Sequence, residues 1–275
     1  MQEISINTWE EFPAQLRMLD ERRAALRDMP KGSVSRLLFR GQADARWQLE
    51  TTLERYSGIN QLVSVVDYYK LVTAVRPQVE SFTDRVWNIP DYTEYLELLR
   101  KDEFFPLAGF SGYEFLVYLR HHGFPSPLLD WTRSPYIAAY FAFGDGPLST
   151  ERVALYAYYE FAGRAKTGWA EAPRITRLGA YVRTHPRHFL QQSEYTVCTV
   201  RDRTEWHFAR HENVFGRADG RQDVLWKLTL PSAEAPKVLA DLERFNINAY
   251  SLFGSEDSLL RTLAMRELFL RARTS

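Results

Sequence analysis

The sequence predicts an α+β fold, and three observations carry that expectation. Helical patterns come first in the 275-residue chain, β-branched and aromatic runs dominate its middle, and helical patterns return at its end. No regular strand–helix–strand alternation runs through it. No internal repeat, low-complexity tract or Gly/Ser linker divides it, so a single domain over residues 1–275 is expected. That domain would be helical over about 1–125, strand-rich over about 126–232 and closed by helices over 233–275.

The elements follow in chain order. "NTWEEFPAQLRMLDERRAALRDM" sets Phe12, Leu16, Leu19 and Leu26 at helical spacing with charges between them. "SRLLFRGQ" reads as a short buried strand ending at Gly41. Residues 60–82 have the pattern of a long amphipathic helix. "SGYEFLVYLRHHG" opens with Ser111, carries Glu114 three residues later as in a capping box, and closes at Gly123, a favourable C′ residue.

The segment "LLDWTRSPYIAAYFAF" is the most informative. Ser134 before Pro135 is a helix start, because Ser caps and Pro lacks only an N–H that would go unpaired there. The helix Pro135–Phe143 is apolar nearly all round and is expected to be buried. "RVALYAYYEF", "EYTVCTV" and "DVLWKLTLP" are strands, and "AEAPKVLADLERF" and "SEDSLLRTLAMRELFL" are closing helices. Residues 161–188 have no clean period and are expected to be loop-rich.

Composition narrows the function. The 35 basic and 35 acidic residues cancel, so no global charge draws a polyanion, although a local basic groove stays open. Aromatics reach 14%, enough for a thick core or for pockets that take flat ligands. Cys198 is the only cysteine, which excludes an internal disulfide and a zinc site built from paired cysteines. It sits in a strand pattern, where Cys is a small hydrophobe. No charged n-region and apolar h-region open the chain, and no run of roughly 18 apolar residues occurs. A cytoplasmic protein without a membrane partner is expected.

Several blocks together resemble the FRG-domain family. They are Phe39-Arg40-Gly41-Gln42 followed by Trp47 and Leu49, His121-His122-Gly123-Phe124-Pro125, and Leu128-Leu129-Asp130-Trp131-Thr132. Ser134-Pro135, Ala138-Ala139-Tyr140-Phe141-Ala142, Gln191 through Val197, and Ile247-Asn248 with Leu252-Phe253 continue the likeness. Gly254-Ser255-Glu256 departs from the family's pattern. A more distant resemblance is to arginine–serine–glutamate ADP-ribosyltransferases. It rests on Arg40-Gly41 at a strand end, Thr132-Arg133-Ser134 before a helix with Ala138, Ala139 and Phe141, and Gln192-Ser193-Glu194 opening a strand. This likeness implies a split, mostly antiparallel sheet flanked by helices, with NAD as co-substrate.

In that chemistry the nicotinamide glycosidic bond breaks through an oxocarbenium-like centre, which a carboxylate stabilises. The resemblance implies Arg40, Ser134 and Glu194 as the working triad, with Glu160 and Glu212 as rival carboxylates. Arg40 would hold the diphosphate, since a guanidinium suits phosphate geometry, and Asp130 would orient it; a plain buried ion pair with Asp44 or Asp130 is the alternative. Gly41 lets backbone or ligand come close, and Gln42 completes that motif at the cofactor. Thr132 and Ser134 would serve the nicotinamide side, with Tyr136 or Tyr140 stacking on its ring or simply filling the core. There is no G-x-G-x-x-G, so dinucleotide binding would not be of Rossmann type. Gln192, on the same face as Glu194 if the segment is extended, would meet the acceptor together with Arg187 and Tyr195.

No metal is expected. His121 and His122 point in different directions from a helix end and do not share an ion with Asp130 easily. Arg183, His185, Arg187, His188, Arg201 and Arg203, interleaved with Tyr181, Phe189 and Tyr195, are either a mixed solvated surface or a place for single-stranded nucleic acid. The expectation is therefore an NAD-dependent mono-ADP-ribosyltransferase, of the toxin or anti-phage kind that needs an antitoxin. RNA, other nucleic acid or protein is its acceptor. A nucleotide-binding module without catalysis and an NAD glycohydrolase are the alternatives.

Overall fold

In a computed structural model the chain is described over residues 1–27, 34–57, 63–101, 112–144, 148–160, 172–180, 182, 185–203, 205–215 and 223–271. β1 (Gln2–Ser5) precedes α1 (Phe12–Arg27), β2 (Leu38–Gln42), α2 (Thr52–Ser57), β3 (Val63–Ser64) and α3 (Val65–Thr83). Then come α4 (Tyr92–Lys101), α5 (Tyr113–His121), β4 (Leu129–Thr132), α6 (Pro135–Phe143) and β5 (Arg152–Glu160). β6 (Arg174–Gly179), α7 (Pro186–Leu190), β7 (Ser193–Asp202), β8 (Glu205–Phe208) and α8 (His211–Phe215) follow. β9 (Asp223–Pro231), α9 (Ala235–Arg244), α10 (Ala249–Phe253) and α11 (Glu256–Ala264) close the chain, α11 continuing as a π-helical stretch Met265–Leu270.

The strands form one open sheet in the order β1-β9-β5-β2-β4-β7-β8-β3, with β6 also paired to β7. Only the β1–β9 pair is parallel among the described residues. Helices flank the sheet, so the architecture is a mixed, mostly antiparallel sheet with helical cover. The N-terminal part contributes more than helices: β1 lies at one edge, and β2 sits in the middle between β5 and β4. The segment expected to be loop-rich holds β6 and α7, while its residues 161–171 lie outside the described ones. β6 carries only Ile175 and Leu178 as apolar residues, each directly after an arginine, too short an apolar pattern to stand out without its partner β7.

Local chemistry accounts for α6. Ser134 Oγ accepts the Ile137 N–H at 3.3 Å, and Pro135 opens the helix. Ile137, Ala138, Ala139, Tyr140, Ala142 and Phe143 are buried, packed between β2 and β5 on one side and α9 on the other. α5 is capped by Gly112 at φ 89°, while Ser111, the expected capping residue, lies outside the described residues. The expected helix over 60–82 begins at Val65, with Ser64 capping it through the Asp67 N–H.

Candidate functional site

The site is built where two central strands part. β2 and β4 pair at a single position, Phe39 opposite Thr132, and then diverge. Beyond that point Arg40 reaches across the gap. Its Nη1 donates to the Asp130 carbonyl at 2.9 Å and to Asp130 Oδ1 at 2.7 Å. Arg120, from the last turn of α5, donates through Nη2 to the same Oδ1 and through Nη1 to Thr52 Oγ1 at 3.2 Å. Asp130 stays 44% exposed, while the Arg40 and Arg120 side chains are 10% and 14% exposed. Enclosure by protein works against the Asp130 charge, but the guanidiniums of Arg120 and Arg40 outweigh it and hold the carboxyl well below the usual range. Asp44, the other partner considered for Arg40, is instead paired with Arg46 at 2.7 Å.

On the neighbouring surface Gly41 meets α6 directly. A Cβ at Gly41 would lie 1.9 Å from the Ala138 carbonyl oxygen and 2.6 Å from the Ala142 nitrogen. The glycine therefore brings backbone close: it lets α6 lie on β2. A cavity of about 30 Å³ opens beside it, room for roughly two waters. Phe39, Arg40, Gly41, Asp130, Trp131, Thr132, Phe141, Gln191 and Ser193 line it.

Residues 35–150 match the family model of the FRG domain. They form an FRG domain. No curated protein and no solved structure matches the chain. The FRG domain thus supplies β2, α5, β4 and α6, and with them Arg40, Arg120, Asp130 and the cavity's first wall. The second wall, Gln191 and Ser193, comes from outside it.

The other expected site residues scatter. Thr132 lines the cavity, and its hydroxyl donates to the Gln191 carbonyl at 2.8 Å, tying the FRG domain to the turn between α7 and β7. Ser134 is engaged as the cap of α6. Tyr136 packs its ring against Trp9, Phe12 and Phe245, and Tyr140 is buried in the same core. Gln42 is buried and donates to the Gln48 carbonyl at 3.1 Å.

Beyond the FRG domain, Glu194 is buried opposite Trp131, and its Oε2 accepts from Arg177 Nη2 at 2.6 Å. It is not among the cavity's lining residues, whereas its neighbour Ser193 is. Glu212 accepts the Leu49 N–H at 2.9 Å, and Glu160 ends β5 paired with Asp223. The expectation that Gln192 shares a strand face with Glu194 needs correcting. Gln192 has φ 49° in the turn before β7, so the period-two relation does not reach it. Its carbonyl instead accepts the Arg133 N–H at 3.1 Å.

Arg120 was missed in the sequence, although it stands in the quoted "YLRHHG". An Arg at the end of an apolar helix carried the signal, but only the fold sets it beside Asp130.

Histidines and tyrosines form a second layer. Tyr195 is buried, with its hydroxyl 2.9 Å from His121 Nε2, and burial raises its pKa. His122 tilts against Tyr118 at 4.3 Å, and both His121 and His122 have their rings near that of His185, at 6.4 and 5.7 Å. Among the described residues no group of three or more His, Cys, Asp or Glu is placed to hold a metal. Of the basic and aromatic residues around β7, Arg183 and Tyr181 lie outside the described residues. His185 caps α7, Arg187 lies over the Phe253 ring at 5.5 Å, His188 is buried, and Phe189 is exposed. Arg201 lies over Trp206 at 5.8 Å, and Arg203 turns the chain into β8 at φ 53°. No helix among the described residues is long and apolar enough to cross a membrane.

One buried histidine, His211, and one half-buried, His121, make stability depend on pH. Burial and the nearby Arg40 charge bring His211 down to about 3, and burial with His188 brings His121 to about 4. Unfolded, each titrates near about 6.5. Between those values the unfolded chain binds protons that the folded one refuses, so stability rises with pH there. It is complete above about pH 6.5 and falls on acidification at about 1.4 kcal/mol per pH unit for each histidine. The urea midpoint is expected to drop steadily from pH 6.5 to 4.5; a flat profile would mean that these rings accept protons in place.

Proposed function

We propose that the protein transfers ADP-ribose from NAD+ to an acceptor at the parting of β2 and β4. One observation carries the reading. The Arg40, Thr132-Arg133-Ser134 and Gln192-Ser193-Glu194 segments, far apart in sequence, come to three neighbouring strands, β2, β4 and β7. These are the three segments on which the resemblance to ADP-ribosyltransferases rests. Arg40, already extended toward the gap, takes the diphosphate, while Thr132 and Ser193 face the part of the ligand that enters the notch. The notch holds a fraction of a dinucleotide, so the remainder lies over the half-exposed Asp130.

In the reaction the bond between ribose C1′ and the nicotinamide nitrogen breaks, and the pair leaves with nicotinamide. The acceptor's nucleophilic atom bonds to C1′ and gives up its proton to solvent. Asp130 is a poor partner for the positive sugar, because two guanidiniums already take up its charge. Glu194 is the carboxylate of the reading, and it acts by exchanging Arg177 for the ribose. An RNA or protein acceptor would approach along α7, where Arg187 and the exposed Phe189 stand. A toxin or anti-phage role with an antitoxin, in the cytoplasm, belongs to the same proposal.

The pairing of Glu194 with Arg177, away from the cavity lining, favours a second reading: a nucleotide-binding module that does not turn over. Labelled NAD+ in cell lysate, split into RNase-, DNase- and protease-treated portions, separates the two. The expected result is nicotinamide release and a label that one treatment removes. Glu194→Gln should lower turnover by about a hundredfold or more, with NAD+ affinity little changed. Nicotinamide without label would mean a glycohydrolase. NAD+ binding without release would leave the module.

A further inference from the structure

Two guanidiniums converge on one carboxylate oxygen. Arg40 from β2 and Arg120 from α5 both donate to Asp130 Oδ1 on β4. The charge does not balance, since two cations share one anion. Both Arg40 Nε and Arg120 Nε are buried without a hydrogen-bond partner, so each fork still has a donor to satisfy. A third cation stands close by. Arg55, exposed on α2, has its pKa lowered first by desolvation and then by repulsion from Arg40 and Arg120. Of the neighbouring carboxylates, Glu50 is paired with Arg210 at 3.8 Å and also favours the Arg55 charge, and Glu54 accepts the Thr51 N–H at 2.5 Å. A surplus of enclosed positive charge is costly unless an anion completes it.

We propose that Arg120 and Arg40 are the two arms of a diphosphate site, held together and aimed by Asp130, with Arg55 at its rim. The inference deepens the reading above by naming the group recognised, and it rests on that reading only for which nucleotide carries the diphosphate. Two forks that meet at one oxygen stand close enough for each to take one phosphoryl group, in the bidentate geometry that guanidinium suits. Asp130 is half-exposed, so an anion reaches the site from solvent without opening the core. The carboxylate keeps the arms together while the site is empty, and its single charge leaves them a net attraction for a polyanion. A carboxylate ligand or a lone orthophosphate would satisfy one arm and leave the other on Asp130.

The test is calorimetry on the full chain with inorganic pyrophosphate, ADP, orthophosphate and NAD+. The unmodified protein is expected to bind pyrophosphate and ADP, and orthophosphate more weakly. Arg120→Lys keeps the charge that Asp130 needs but loses the fork. It should weaken pyrophosphate and ADP by roughly tenfold or more, with a smaller loss for orthophosphate. Arg55→Gln changes an exposed residue and serves if Arg120→Lys does not fold; a severalfold loss, shrinking at high salt, is expected. Failure of the unmodified protein to bind pyrophosphate or ADP would overturn the proposal, as would wild-type affinity in the folded variants. Arg120-dependent binding of ADP without any nicotinamide release from NAD+ would uphold this site and remove the catalytic reading instead.

Discussion

Gly41→Ala is expected to leave little folded protein. Few positions in the chain are so constrained, and the reason is steric rather than conformational. Gly41 has an ordinary strand pairing with Leu155, but its missing Cβ is the space into which α6 descends. The atoms that a methyl group would strike are the Ala138 carbonyl and the Ala142 nitrogen, main-chain atoms of a helix that is itself wedged against β5 and α9. A flexible side chain could turn away; a helix backbone has to move as a whole. Overpacking against side chains costs about 1–3 kcal/mol, and here the cost should be at least about 3 kcal/mol, because β2 and α6 must separate along their length. Against a marginal total stability that is a large fraction. Thermal unfolding measured beside the unmodified protein checks it. A melting point within a degree or two would show that α6 does not rest on β2.

Trp131→Ala should destabilise the protein by about 3–5 kcal/mol, the usual cost of truncating a buried Trp. Trp131 packs in the core on the side of the sheet that carries Leu38, Tyr156 and Tyr158, with its ring 5.3 Å from that of Tyr158. Its indole N–H donates to Thr196 Oγ1 at 2.9 Å, and that hydroxyl lies 2.9 Å from His211 Nε2. Truncation opens a cavity and also takes from the buried Thr196 hydroxyl the donor that it accepts, leaving it only His211, which adds to the loss. Trp131→Phe keeps most of the apolar volume and removes only the donor, so it should cost about 1–2 kcal/mol. Denaturant titration of both variants decides the matter. Equal losses would assign the effect to the hydrogen bond, and a negligible loss in Trp131→Ala would place the ring outside the core.

These two residues also mark how far the sequence could be read. Trp131 and Gly41 stood out in it, within "LLDWTRSP" and "LLFRGQ". Trp131 read as part of an FRG-like block, and Gly41 as a place of close approach. What approached Gly41 was open between backbone and ligand, and α6 resolves it. Likewise Ser134 was legible as a cap because capping depends on the next three residues alone. Glu194 was legible as a carboxylate near the start of a strand, but its partner Arg177 lies on β6, a strand whose pattern is too short to recognise unpaired. Gln192 misled for a related reason: alternation along a strand holds only inside it, and the strand begins one residue later.

By itself the sequence determined what depends on neighbours along the chain. That includes the start of α6 at Ser134-Pro135, the long strands β5, β7 and β9, the closing helices and the FRG-like blocks. Caps, turn residues and hydrophobic period are short-range physics, complete within a few residues. Tertiary structure alone decided who meets whom. It brought β2 between β5 and β4, parted β2 from β4 after Phe39, and set Arg120 of α5 against the same Asp130 oxygen that Arg40 holds. Charge pairs and backbone contacts of that kind join residues far apart in the chain. Their partners are chosen by how the sheet and helices pack, and no local pattern records that choice.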